Sequence, residues 1–338
     1  MLNKVYEEVL NFIKGNYKQL IILVIVFIIL NFPLNYSIYI SGGTINVNDR
    51  VEVKDEYKSS GTFNLAYVTE LQATAFTYLL SHIVPSWETV PLEEYQASEN
   101  ETMEDISLRS KLYLNKSEED AIKNAYEKAN QTFEIIDTEF NIVYINEIVD
   151  SDLKIGDVIL EANNEKIKTM EQYKNIINKF NFGDYISLKV KRDNKVVDTK
   201  VKVNNINGQK IIGISVLELH NYKTVPEINL SFKKSESGPS GGLMLTLAIY
   251  DKLIKEDLTN GYKIVGTGTI DSYGNVGEIS GVKYKLRGAV SAGADIFIAP
   301  TGDNYQECKS IIKEENYNIR LIEAKTFEQV LNSLVNLD

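Results

Sequence analysis

Eleven consecutive apolar residues, Leu20–Leu30, stand near the amino terminus, and Phe32, Leu34, Ile38 and Ile40 extend the run past Asn31, Pro33 and Asn35. Counted as helix from Leu20 to Ile40, that stretch covers ~31 Å, close to the ~30 Å hydrocarbon thickness of a bilayer. No amphipathic partner helix lies nearby, so the run reads as a transmembrane anchor over 19–40 rather than a buried core helix. It is preceded by a stub, 1–18, and followed by a polar tether, 41–58. Lys4, Lys14 and Lys18 lie before the run, and Arg50, Lys54 and Lys58 after it, amid Asp49, Glu52, Asp55 and Glu56. Close to the ends the count favours the amino-terminal side, which predicts a cytoplasmic stub and an extracytoplasmic body. No Ala-x-Ala-like site closes the run, so the anchor is expected to be retained.

The body is large enough for two folded units at ~100–200 residues each. Acidic residues outnumber basic ones, 47 to 36, for a net charge of −11, which disfavours a nucleic-acid partner. A lone cysteine, Cys308, and only His82 and His220 leave no disulfide framework, and no metal or other cofactor is implied. There is no Gly-x-x-x-x-Gly-Lys-Ser/Thr loop, so no nucleotide is expected either.

After Gly61 the pattern reads as a strand, Thr62–Thr69, a helix from Thr74 to Ile83, and a helix that starts near Ser117 with Ala121, Ile122, Ala125, Tyr126 and Ala129 on one face. From about Thr132 to Val203 short strands surround one helix, Thr169–Phe180, and a hairpin, Tyr185–Lys191 with Val196–Val203, closes at Asp193-Asn194. Beyond Ile211 strands and helices alternate to the end, giving an α+β region followed by an α/β layout.

Leu153-Lys-Ile-Gly-Asp-Val-Ile-Leu-Glu-Ala-Asn-Asn-Glu-Lys-Ile167 resembles the core signature of a bacterial PDZ domain. That resemblance implies a peptide added as a strand. The groove is expected between Ile142–Val149 and Thr169–Phe180, lined by Ile142, Val143, Tyr144, Ile145, Tyr173, Ile176 and Ile177. The loop ahead of the first strand, Asp137-Thr-Glu-Phe-Asn141, is acidic rather than glycine-rich.

The chemistry concentrates in Ser237-Gly-Pro-Ser-Gly-Gly242, which joins a strand to the apolar helix beginning at Leu243. Proline suits a first helical turn, and glycines permit close backbone approach. Ser240 would therefore sit where unpaired N–H groups converge, a setting suited to an oxyanion hole or, in the blander reading, to a helix cap. Gly238-Pro-Ser-Gly-Gly242 also fits Gly-x-Ser-x-Gly, but no histidine follows Ser240 as an α/β-hydrolase requires. A trypsin-like arrangement would need His82, across the PDZ-like segment; both histidines are read as structural. A lysine can replace histidine as the base if burial lowers its pKa toward 7–8, a shift of ~4 kcal/mol.

Gly281-Val-Lys-Tyr-Lys-Leu-Arg-Gly-Ala289 supplies such a lysine, and with Ser240 it closely resembles the proteolytic domain of Lon-type proteases. Gly238-Pro-Ser-Gly-Gly is similar to the family's Gly-Pro-Ser-Ala-Gly. Gly266-Thr-Gly-Thr-Ile270 is similar to its Thr-Gly-Glu-Ile, and Ser280-Gly-Val-Lys-Tyr-Lys285 to its Gly-Gly-Leu-Lys-Glu-Lys. The resemblance implies Ser240 as nucleophile, Lys285 as general base and Thr267 as the hydroxyl that holds it, supported by Gly238, Pro239 and Gly241. Lys283 falls on the family's non-catalytic lysine. Gly241 departs from the family's alanine, Ser280 from its glycine, and Ser237 from the aspartate of ATP-dependent members.

The order of anchor, PDZ and Lon-like module, with Phe32-Pro-Leu-Asn-Tyr36 at the membrane exit, resembles the membrane-anchored PDZ-containing Lon-like proteases of Gram-positive bacteria. It implies a PDZ domain, 131–205, inserted in a Lon-type module made of 59–130 and 206–338. It further implies a ring of six and an ATP-independent serine endopeptidase acting on unstructured extracytoplasmic segments. The alternative is a catalytically silent scaffold that binds peptides through its PDZ groove.

Overall fold

The computed structural model describes residues 2–84, 86–98, 101–206, 208–233 and 238–337; Ser237 and the side chain of Lys4 lie outside that description. The chain divides into two compact units, Met1–Ser41 with Thr69–Tyr95 and Gly42–Val68 with Gln96–Asp338.

The first unit opens with helix α1, Leu2–Leu30, and its Val5–Leu30 stretch is long and apolar enough to cross a membrane and carries no buried residue. The helix stops ten residues before the expected end of the anchor at Ile40. Pro33 has no N–H to continue the ladder and forces the residue before it out of helical geometry. Leu34, Ile38 and Ile40 belong instead to a strand, Pro33–Asn46, whose Tyr36–Ile40 pairs antiparallel with Trp87–Pro91. Helix α2, Ala75–Ser81, is closed at its start by a capping box: Thr74 Oγ1 accepts from the Thr77 N–H (3.2 Å) and Thr77 Oγ1 from the Thr74 N–H (2.8 Å).

In the second unit the helices are α3 (Met103–Lys128), α4 (Met170–Asn178), α5 (Gly242–Leu253), α6 (Val282–Ser291), α7 (Asp303–Glu314) and α8 (Phe327–Val335). Arg320–Ala324, Ile296–Pro300, Lys263–Gly266 and the start of Thr62–Thr74 lie side by side in that order, all parallel. Parallel strands joined by crossover helices need cover on both faces, and the side chains supply it alternately. Ile264, Ile296 and Ile298 point toward α3, α5 and α8, where Ile122, Tyr126, Leu243, Leu247 and Val330 pack. Val265, Phe297 and Ala299 point the other way, onto Val282, Leu286 and Ala289 of α6 and Cys308 of α7.

Two expectations change. The segment 41–58 is not a free tether, because Val47, Val51 and Val53 are buried in the same core and Val51–Val53 pairs with Ile228–Leu230. Alternation places Val51 and Val53 on one face while Glu52 faces solvent. Ser117 does not start a helix: α3 begins fourteen residues earlier at Met103, capped by Thr102 with Asp105, and Ser117 is buried mid-helix.

The PDZ sheet runs Ile214–Val225, Thr132–Ile145, Val158–Ala162, Tyr185–Arg192, Lys195–Lys202. Its hairpin turns on Asp193 and Asn194 at φ 49° and 61°, the left-handed pair that a two-residue turn of this twist requires. Helix α4, capped by Thr169, buries Tyr173, Ile176 and Ile177 against this sheet. Thr132–Ile145 and Ile214–Val225 pair along their whole lengths, forming a ribbon whose far end reaches α3.

Candidate active site

Gly238 has φ 97°, a conformation that side-chain-bearing residues rarely adopt, and Pro239 then opens a short turn, Pro239–Gly241, that runs straight into α5. Ser240 therefore stands in the first turn of the buried helix. The loop is pinned to the end of strand Lys263–Gly266. Ser240 O accepts from the Gly268 N–H (2.8 Å) and from Thr267 Oγ1 (3.0 Å), while Gly268 O accepts from the Leu243 N–H (3.1 Å). A Cβ at Gly242 would come within 2.5 Å of Ser117 Oγ and 2.8 Å of Ile270 Cγ2, so only glycine fits there. At Gly241, where the resembling family has alanine, a Cβ would lie 2.8 Å from Leu65 Cδ2. Leu65 fills the room that a methyl group would need.

Lys285 reaches this loop from α6. Its Nζ lies 2.9 Å from Ser240 Oγ and donates to Thr267 Oγ1 at 3.0 Å. The lysine is 3% exposed and Thr267 is fully buried, and burial lowers the lysine pKa to about 7. With a pKa of about 7, roughly half of the amine is neutral at pH 7, and that form has a lone pair able to take a proton from the serine, while Thr267 Oγ1 accepts one of its N–H groups and so fixes its direction. Lys283 lies two residues earlier, ~200° round the helix. Its Nζ sits over the Tyr284 ring, 5.0 Å from the centroid, so the helical turn puts the two amines in different surroundings.

The histidines are engaged elsewhere. His82 Nδ1 bonds Tyr78 O at 2.9 Å, and His220 Nδ1 meets Glu119 Oε1 at 2.5 Å. Sequence reasoning missed Ser117 as part of the loop's support: its hydroxyl donates to Pro239 O at 3.1 Å across 122 positions of chain. No local pattern could have indicated that contact.

In the PDZ region a cavity of about 750 Å³ lies between α4 and the chain from Gly208 to Val216, lined among others by Tyr173, Lys174, Ile177, Ile212, Ile214 and Val216. Of the seven residues expected to bind peptide, Tyr173 and Ile177 line it; Ile142, Val143, Tyr144, Ile145 and Ile176 do not. Ile142 is held inside the sheet, opposite Val216 on one side. On the other its N–H donates to Asp157 O and its carbonyl accepts from the Gly156 N–H, both at 2.8 Å. A strand bonded on both sides there offers no free edge; the edge of the sheet is the neighbouring strand, Ile214–Val225.

Residues 226–336 match the family model for the Lon protease (S16) C-terminal proteolytic domain, and residues 131–203 match that for the PDZ domain. Among solved structures the chain is similar to the PDZ domain of an SdrC-like protein from Listeria monocytogenes, 22% identical over 23% of this chain and 86% of that one, with a TM-score of 0.22. It is also similar to the second domain of a Listeria protein solved in solution, 26% identical over 24% of this chain and 85% of that one, again with a TM-score of 0.22. Comparison with curated proteins finds no match.

Proposed function

We propose that this chain, which carries a PDZ domain ahead of a Lon protease proteolytic domain, is a membrane-tethered serine endopeptidase that works without ATP on extended peptide segments. Ser240 attacks the peptide carbonyl, Lys285 takes the hydroxyl proton and returns it to the leaving amine, and first-turn N–H groups around Ser240 receive the oxyanion. The observation that carries this reading is the 2.9 Å approach of a buried, pKa-lowered Lys285 to Ser240. A silent scaffold has no use for a desolvated lysine aimed at a serine, since burying it costs ~4 kcal/mol.

The catalytic module is discontinuous in this proposal, lying on both sides of the PDZ sheet, which extends past the expected 131–205 to Val225, and the PDZ region engages substrate in the groove between α4 and Gln209–Val216. Helix α1 is the anchor, with the body outside the cytoplasm, and a ring of six is the assembly implied by the family resemblance. Folded domains are stable by ~5–15 kcal/mol, and no phosphate loop is present in the sequence to couple nucleotide to unfolding. The substrates are therefore segments already extended, such as propeptides or disordered tails.

The test is cleavage of an unstructured polypeptide and of a stable folded domain by the full chain in detergent, each with and without ATP, alongside Ser240→Ala. Cleavage of the first alone, indifferent to ATP and lost in the variant, supports the proposal. Degradation of the folded domain, a nucleotide requirement, or activity that survives Ser240→Ala overturns it.

A further inference from the structure

Between Lys18 and Asp49 the sequence holds no Asp, Glu, Lys or Arg, yet only Gln19–Leu30 of that stretch is helical. The helix as a whole is long enough to cross, through Val5–Leu30, so the chain after Leu30 emerges at the far boundary of the hydrocarbon. Apolar chain held at that boundary gains by contacting lipid, although backbone at that level must keep its hydrogen bonds.

A second uncharged stretch, Leu71–Trp87, free of Asp, Glu, Lys and Arg, lies in the same compact unit. It meets α1 where the helix ends: the Ala75 N–H donates to Phe32 O at 3.1 Å. Helix α2 then turns one side inward, where Tyr78 packs on Tyr36 with ring centroids 5.0 Å apart. Its other side carries Phe76, Leu79 and Ile83 at spacings of three and four, 49%, 60% and 75% exposed, with Phe32 beside its start at 63%. The same compact unit also carries Tyr36, Tyr78 and Trp87, and aromatic residues of this kind favour the headgroup level. The backbone meanwhile is satisfied by the helix, its capping box and the pairing of Tyr36–Ile40 with Trp87–Pro91.

We infer that Leu71–Trp87 is a second membrane-contacting element, its α2 stripe of Phe76, Leu79 and Ile83 seated in the interfacial layer of the leaflet that α1 leaves. The occupant of the stripe is lipid, because the stripe is tied to the end of the span and has no charge to hold it off an apolar boundary. The inference rests on α1 spanning the bilayer, and the experiment separates the two.

The full chain, with single cysteines for nitroxide labelling at Phe76→Cys, Leu79→Cys, Ile25→Cys and Tyr273→Cys, is reconstituted in lipid nanodiscs; the native Cys308 is fully buried. Collision with oxygen, which partitions into lipid, is compared with collision with a water-soluble nickel chelate. Ile25→Cys reports the span, and Tyr273→Cys, on a residue 86% exposed, reports water. The expected result is nickel accessibility at 76 and 79 several-fold below that at 273, with oxygen accessibility between those at 273 and 25. Nickel access at 76 and 79 equal to that at 273, while 25 stays in lipid, overturns the inference and leaves the span intact. Shielding of 76 and 79 from both reagents overturns it in favour of protein contact. Nickel access at 25 overturns the span itself.

Discussion

The catalytic region and the PDZ region solve the same packing problem over very different distances along the chain. The core beneath Ser240 draws on Val47, Phe63, Ile122, Leu247, Ile298 and Leu334, residues from both sides of the PDZ segment and from nearly the whole second unit. The PDZ core draws on Phe140 through Val216 and nothing outside. A contiguous core can close or open by itself, whereas a core collected from distant segments ties the loop of Ser240 and the helix of Lys285 to the integrity of the whole. The PDZ region is joined to the rest by its ribbon, which ends at α3, the helix that also supports Pro239 through Ser117.

The strongest test of that division is at the site. Lys285→Ala and Ser240→Ala are each expected to reduce cleavage of native substrate and of a short unstructured reporter to background, since members of a catalytic unit fail together. Circular dichroism should report a folded protein in both. Retained activity in Lys285→Ala would break the comparison at its centre.

Next in size are matched truncations of the two cores. Leu247→Ala and Ile186→Ala remove fully buried side chains, and each should cost ~2–5 kcal/mol locally. Leu247→Ala is expected to lower the main thermal transition and the cleavage of both substrates. Ile186→Ala should increase hydrogen exchange within 132–216 and weaken cleavage of native substrate, while the reporter is cut nearly as before. If Ile186→Ala abolishes reporter cleavage as well, the PDZ core is a structural part of the catalytic fold.

The pH dependence is smaller and has a definite sign. The lysine must be neutral to accept a proton, and burial sets its pKa at about 7. Reporter kcat/KM should therefore fall about tenfold per pH unit below that value and level off above it. Stability moves the same way. Between about 7 and the ordinary value of 10.5 the unfolded chain binds a proton that the folded chain does not, so Lys285 makes unfolding harder as pH rises through that window. In Lys285→Met this stability trend should disappear, as measured by denaturant titration at a series of pH values. The smallest effect belongs to Lys283→Ala, expected to leave kcat/KM within about twofold, because the amine beside Ser240 is that of Lys285 while that of Lys283 sits over the Tyr284 ring. Loss of activity there, with Lys285 dispensable, would reverse the assignment of the two lysines.

What the sequence determined by itself is local. Asp193-Asn194 specifies its turn, Thr169 caps α4, Pro239 and its glycines start the helix that carries Ser240, and short continuous apolar runs mark parallel strands such as Ile296–Pro300. These features rest on backbone sterics and neighbours a few residues apart, so they can be read along one short window. The tertiary structure alone decided which side chains become buried and which strand edges remain free. It folded Val47, Val51 and Val53 into the core instead of a tether, ended α1 at Leu30, and gave the free sheet edge to Ile214–Val225 rather than to the strand of Ile142. It also brought Ser117 to Pro239 and enclosed Lys285 beside Ser240. Burial and edge pairing are sums over residues a hundred or more positions apart, and the lowered pKa of Lys285 is one such sum: no charge on its own helix causes it, only the water that distant segments exclude.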